Sequence, residues 1–175
     1  MSTSILSYRA LCPEDAEAFK ALRLCGLKEH PEAFLESDEA WSVKTLEEIA
    51  ERITQNNDMR KGFIMGCFDG EFLVGVLGYF QFVPLKVRHK GQFWGMYVDK
   101  AYRRQGIAGQ LLDVCIQKAR EAPEVRLLHI EATTSNIPAL RLYEAKGFES
   151  YGLQKEALFA NNQFYDESHL VLFLK

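Results

Sequence analysis

The passage from residue 91 to residue 132 constrains this chain more than any other. Residues 91–98 (GQFWGMYV) have the aromatic and β-branched texture of a strand. Ile107–Ala119 then sets Ala108, Leu111, Leu112, Cys115 and Ala119 on one side of a helix that Pro123 ends. Residues 125–132 return to strand texture. A strand–helix–strand passage makes its two strands parallel, because the crossover carries the chain back to the end where it began. The class is therefore mixed α/β.

The remaining elements follow from local signals. Leu6–Ala10 reads as a short strand, and Pro13, Glu14 and Asp15 open a helix with acids at the positive end of its dipole. Its apolar positions Ala16, Phe19, Leu22 and Leu27 keep a helical period until Pro31. A second helix starts at Thr45, whose capping box with Glu48 precedes Leu46, Ile49, Ala50 and Ile53. Strands at 63–68 and 72–82 flank Asp69-Gly70, which accepts the positive φ of a tight hairpin, and residues 91–98 extend that meander. Asn136, Pro138 and Gly147 mark the cap, first turn and end of a helix over 136–145. A short strand at 148–153 and a long one at 164–174 close the order β-α-α-β-β-β-α-β-α-β-β. No repeat, linker or low-complexity run interrupts it, so residues 1–175 read as one domain. A chain of 175 residues buries roughly 70% of its unfolded surface and needs no covalent staple.

Charge is distributed unevenly. Residues 1–60 hold seven Lys and Arg against twelve Asp and Glu, whereas residues 86–126 hold nine against four. The net charge of −3 argues against a general nucleic-acid binder, and the basic centre suits a bound anion or, on the plainer reading, a solvated surface. Cys12, Cys25, Cys67 and Cys115 are widely spaced and read as buried reduced thiols. No histidine pair has the spacing of a zinc site, so no metal is expected. The first ten residues lack a signal-peptide pattern, and the apolar run from 72 to 83 is too short to span a bilayer of roughly 30 Å. These features predict a soluble, cytoplasmic protein with no membrane partner. A homodimer stays open, since dimers are common among soluble enzymes, but no interface stands out.

The chemistry is concentrated in residues 94–109 (WGMYVDKAYRRQGIAG), where a strand enters a basic loop and the loop enters a helix through Gly106 and Ala108. Main-chain N–H groups at a helix start lack intrahelical acceptors and can grip an anion. Small residues let the main chain approach it, and Arg103 and Arg104 add charge. That pattern points to phosphate or pyrophosphate, against the plainer reading of a basic loop before a glycine-started helix. A Gly-Lys-Ser/Thr ending is absent, and Gly106-Ile107-Ala108-Gly109 does not match the dinucleotide fingerprint.

Arg103-Arg104-Gln105-Gly106-Ile107-Ala108 resembles the pyrophosphate loop of the GNAT acetyltransferase superfamily, Arg/Gln-x-x-Gly-x-Gly/Ala. A second stretch, Asn136 through Ala139 and Tyr143 to Gly147-Phe148, is similar to the family's Asn…Ala…Tyr…Gly-Phe segment. The resemblance covers nearly the whole chain. It implies a central, mostly antiparallel mixed sheet flanked by helices and splayed between strands 4 and 5. It implies acetyl-CoA as cosubstrate, an amine acceptor and N-acetyl transfer in a ternary complex. Met96, Tyr97 and Val98 would meet the pantetheine arm with main-chain groups. Arg103, Arg104, Gln105, Gly106, Ile107, Ala108 and Gly109 would form the pyrophosphate loop. Asn136 and Ala139 would border the arm, and Tyr143 would protonate the leaving thiolate. Tyr143 also suits a core role, and Asn136 a simple helix cap. The general base is harder to place, because residues 92–98 contain no acid. Glu131 on the neighbouring strand is the candidate, with a structural salt bridge as its alternative. Glu32, Glu36, Asp38 and Glu39 beside Phe34 and Trp41 suit a cationic amine, or form a solvated acidic loop. The missing strand acid motivates a second class of function, a non-catalytic acyl-CoA-binding or sensing module.

Overall fold

The computed structural model describes residues 6–58 and 62–174. Seven strands form one sheet in the order β1-β2-β3-β4-β5-β7-β6. The strands are β1 (Leu6–Ala10), β2 (Phe63–Asp69), β3 (Phe72–Gln81), β4 (Lys90–Val98), β5 (Leu127–Thr133), β6 (Glu149–Ala160) and β7 (Gln163–Phe173). Every neighbouring pair is antiparallel except β4 and β5, the pair joined by the helical crossover. The helices are α1 (Ala16–Glu29), α2 (Asp38–Ser42), α3 (Leu46–Asp58), α4 (Ile107–Ala119) and α5 (Ile137–Ala145).

Both faces of the sheet are covered. On one, Phe19, Leu22 and Leu27 of α1 and Ile49 and Ile53 of α3 pack with Ile64, Val76 and Tyr97. On the other, Ile107, Leu111, Leu112 and Cys115 of α4 join Tyr143 of α5 against Met65, Leu77, Phe93, Leu128 and Ile130. Full burial of such a side chain contributes about 1.5–3 kcal/mol, so these two layers hold the sheet between them. The helix α3 begins as its capping box requires: Glu48 N–H donates to Thr45 Oγ1 at 3.2 Å, and Thr45 N–H donates to the Glu48 carboxylate at 2.6 Å.

Four expectations need correction. Ser37, whose Oγ accepts from Ala40 N–H, caps a one-turn helix, α2, that lies below the length at which periodicity is readable. The strand expected to stop at 153 continues to Ala160, because a register shift between Gln154 and Leu158 absorbs its polar middle. Glu156 takes a φ of 52° there, and its N–H donates to Asp166. Cys67 and Cys115 are buried, but Cys12 is half-buried and Cys25 exposed. Trp41 is wholly buried: its ring meets Phe19 edge-on at 5.7 Å and Nε1 donates to the Lys20 carbonyl at 3.1 Å. It is a core residue and not part of an aromatic acceptor site.

Candidate active site

The parallel pair comes apart as soon as it forms. Ladder pairing between β4 and β5 covers Lys90, Gly91 and Gln92 only, leaving the β5-facing edge of residues 93–98 without a strand partner. A bulge in β4 causes the divergence. Gly95 and Met96 together oppose Leu77 of β3, and Gly95 takes a φ of 67°. The expected splay between strands 4 and 5 is thus present, with a local cause.

A small cavity of about 90 Å³ occupies the resulting slot, lined in part by Met96, Tyr97, Glu131, Thr133, Asn136 and Tyr143. Asn136 caps α5, its Oδ1 accepting from Ala139 N–H at 3.3 Å. The Tyr143 side chain stands at the slot and is 4% exposed. Among the described residues its hydroxyl has no hydrogen-bond partner, and burial raises its pKa above the ordinary phenol value.

At the C-terminal end of β4 the chain passes through the basic loop into α4. Arg104 and Gly106 take positive φ values of 64° and 79°. Among the described residues, the main-chain N–H groups of residues 104–109 find no acceptor, and the first bond of the helix is from Gln110 N–H to the Gly106 carbonyl. A Cβ built on Gly106 would meet nothing within 4 Å. Six N–H groups without an acceptor at a helix start have the character of an anion site.

Arg103 is engaged differently from its expected part. Its fork clasps Glu29, the last residue of α1, at 2.9 and 2.6 Å, while Nε donates to the Val98 carbonyl at 3.0 Å. Tyr97 donates to the same Glu29 carboxylate at 2.7 Å. Arg103 first, then Tyr97, holds the Glu29 carboxyl down at about 2. The Arg103 side chain therefore ties α1 to the loop, and the Tyr97 ring belongs to the core. The Arg103 guanidinium, expected to add charge to the anion site, is committed to Glu29 and Val98 and its N–H to the Lys100 carbonyl, whereas for Tyr97 only main-chain groups were expected to meet the cofactor.

A second cavity of about 710 Å³ adjoins the slot, and the two share Phe34, Trp94, Gly95 and Glu131. Arg23, Glu36, Arg52 and Glu167 also line the larger one. The acidic loop is not a free anionic surface. Glu36 pairs with Arg52 at 2.7 Å, Glu32 lies 3.3 Å from His30, and Asp38 and Glu39 fill the first turn of α2. Glu131 lies 3.1 Å from His169 Nδ1 across the β5–β7 ladder. Desolvation and then the Glu131 charge raise the pKa of nearby Glu167. Arg23 went unnoticed in the sequence, although it falls four residues after Phe19 on the apolar stripe of α1. It is 5% exposed, and burial lowers its pKa to about 10. Glu29, Glu167 and His169 gave no comparable signal, since only tertiary register brings them here.

Residues 23–148 match the family model described as acetyltransferase (GNAT) family, and the chain belongs to that family. It is 24% identical over 107 residues to the L-amino acid N-acetyltransferase AaaT of Escherichia coli, a match spanning 61% of this chain and 65% of the relative. The chain thus spans less than two thirds of that curated relative. The fold matches a GNAT-family acetyltransferase of Streptococcus pneumoniae with a TM-score of 0.86 at 22% identity, over 97% of this chain and 100% of the other. It also matches yncA of Salmonella typhimurium, solved with its cofactor acetyl-CoA (TM-score 0.83, 16% identity, 98% of this chain and 95% of the other). Among the described residues no helix is long and apolar enough to cross a membrane.

Proposed function

We propose that the protein is an acetyl-CoA-dependent N-acetyltransferase that acts on a primary amine by direct transfer in a ternary complex. The observation that carries this reading is the pair of adjoining cavities: a slot beside Tyr143 and Asn136 that shares Phe34, Trp94, Gly95 and Glu131 with a larger chamber. Acetyl-CoA supplies an activated thioester when bound. The N–H groups of residues 104–109 hold its pyrophosphate, and the unpaired edge of β4 at Met96, Tyr97 and Val98 receives the arm. Asn136 and Ala139 border that path. A main-chain N–H near Val98 serves as donor to the developing oxyanion.

Two side chains manage protons. Tyr143 Oη carries its proton at neutral pH as any phenol does, and its place at the slot lets it donate that proton to a leaving thiolate. An amine must be neutral to attack, and the Glu131 carboxylate, where slot and chamber meet, accepts its proton. The contact from His169 Nδ1 at 3.1 Å orients that carboxylate.

Thiol release from acetyl-CoA against a panel of amines, run beside acetyl-CoA calorimetry, tests the reading. Binding with amine-dependent release is the expected result. Binding with no turnover on any amine would favour the sensing module, and absence of binding would overturn the cofactor assignment.

A further inference from the structure

Arg23 stands where a helix of this pattern places an apolar residue, packed under the chamber and 5% exposed. Burying a guanidinium costs several kcal/mol unless close acceptors replace water. Arg23 has none at close range. Nη2 is 3.6 Å from Glu36 Oε2, Nη1 is 3.5 Å from the Gly95 carbonyl, and Nε is buried with no partner among the described residues. Glu36 is turned toward Arg52 at 2.7 Å. What Arg23 does have is a rigid seat. The Phe34 ring lies 4.5 Å from its guanidinium carbon, and a Cβ on Gly95 would fall 2.9 Å from Nη1. The backbone thus makes room for a cation whose contacts to Glu36 and Gly95 are long, whose Nε is unpartnered and whose carboxylate neighbour is shared with Arg52.

We propose that Arg23 receives a carboxylate of the acceptor, and that the substrate is a free α-amino acid and not a plain amine, a polyamine or a peptide N-terminus. The inference rests on the acetyl-transfer reading and adds the substrate class. Direct transfer requires the amine where slot and chamber meet, at Phe34, Trp94, Gly95 and Glu131. Arg23 Nη1 lies against Gly95, at that same junction. Gly95 is common to both cavities, so an anion on Arg23 would sit beside the junction, as the carboxylate of an α-amino acid must when its amine is there. Glu131 and Glu167 line the same chamber and match the ammonium end of a zwitterion. A polyamine would bring a second positive charge against Arg23 in a poorly screened site.

Matched substrates test this on the unaltered protein. Thiol release is measured for leucine and phenylalanine, for their decarboxylated amines, for their carboxamides, for spermidine and for a short peptide with a free N-terminus. A lost charge-assisted hydrogen bond corresponds to about 10–150-fold, so kcat/KM for the better amino acid should exceed that of its amine and amide by at least tenfold. Arg23→Gln and Arg23→Lys should shrink that ratio toward one. Acetyl-CoA affinity, read by calorimetry, reports whether each variant is folded. Equal or better turnover of the amine, the amide, spermidine or the peptide would overturn the inference and leave the acetyltransferase reading standing. No release with any acceptor, despite acetyl-CoA binding, would overturn both.

Discussion

Gly106→Ala separates backbone strain from ligand binding, because the structure gives a magnitude for each. At a φ of 79°, an L-residue's Cβ crowds its own carbonyl, which costs about 1–2 kcal/mol. For a chain of this size that lowers Tm by roughly 2–8 °C. No neighbour adds to the cost, since a Cβ at this position meets nothing within 4 Å. Gly106 lies within the run 104–109 whose N–H groups find no acceptor among the described residues, so on the proposed reading the methyl crowds an anion held by them. Losing one charge-assisted hydrogen bond then raises the acetyl-CoA Kd by about 10–150-fold. Gly70→Ala is the control. That glycine also has a positive φ, 59°, with nothing within 4 Å, but it sits on the β2–β3 hairpin outside both cavities. Thermal unfolding and calorimetry on the two variants should show both losing stability and only Gly106→Ala losing affinity. A Gly106→Ala protein of reduced Tm whose Kd stays within twofold of the parent would refute the pyrophosphate assignment. Gly106→Glu, which adds bulk and charge, should abolish binding.

Further expectations concern the proton path and the tie between α1 and the loop. Tyr143→Phe should lower kcat by about 10²-fold or more while acetyl-CoA affinity holds; unchanged turnover would remove the phenol from the chemistry. Glu131→Gln should lower kcat by about 10²-fold while acetyl-CoA affinity holds, and unchanged turnover would assign the proton to another acceptor. The folded Glu29 carboxyl lies at about 2, below its ordinary 4.5, so its contribution is complete above the ordinary value and is lost as the solution is acidified toward the lower one. Across that window the Tm of the parent should fall more steeply than that of Glu29→Gln. Parallel curves would mean that the Arg103 pairing persists in the unfolded chain or contributes nothing.

Legibility followed the range of the interactions. The bounds of α4 and the capping box of α3 are written in neighbouring residues, and both were readable. The crossover also predicted the parallel β4–β5 pair. By contrast, the insertion of β7 between β5 and β6 depends on pairings such as Glu131 with His169, which no local pattern specifies. The candidate site divides the same way. The stretches 103–109 and 136–148 are contiguous and announced themselves, whereas the chamber is assembled from α1, the loop after it, α3 and four strands. Trp41 looked like an acceptor-binding group because composition alone cannot say which ring lies inside, and nothing local shows that Glu36, which does line the chamber, already has a cation. Arg23 was legible only to a count of turns, since its charge argued for solvent and its position for the interior.

The absence of a single carbon atom at Gly95 serves donor and acceptor together. It lets β4 buckle away from β5, and it leaves the hollow that Arg23 Nη1 fills. On the proposed reading the two subsites are coupled there: a side chain at 95 would have to hold a φ of 67° and would fall 2.9 Å from Arg23 Nη1. If the proposed reading holds, substrate preference should change more readily at other lining positions such as Lys44, Glu48 and Gln55 than at Gly95.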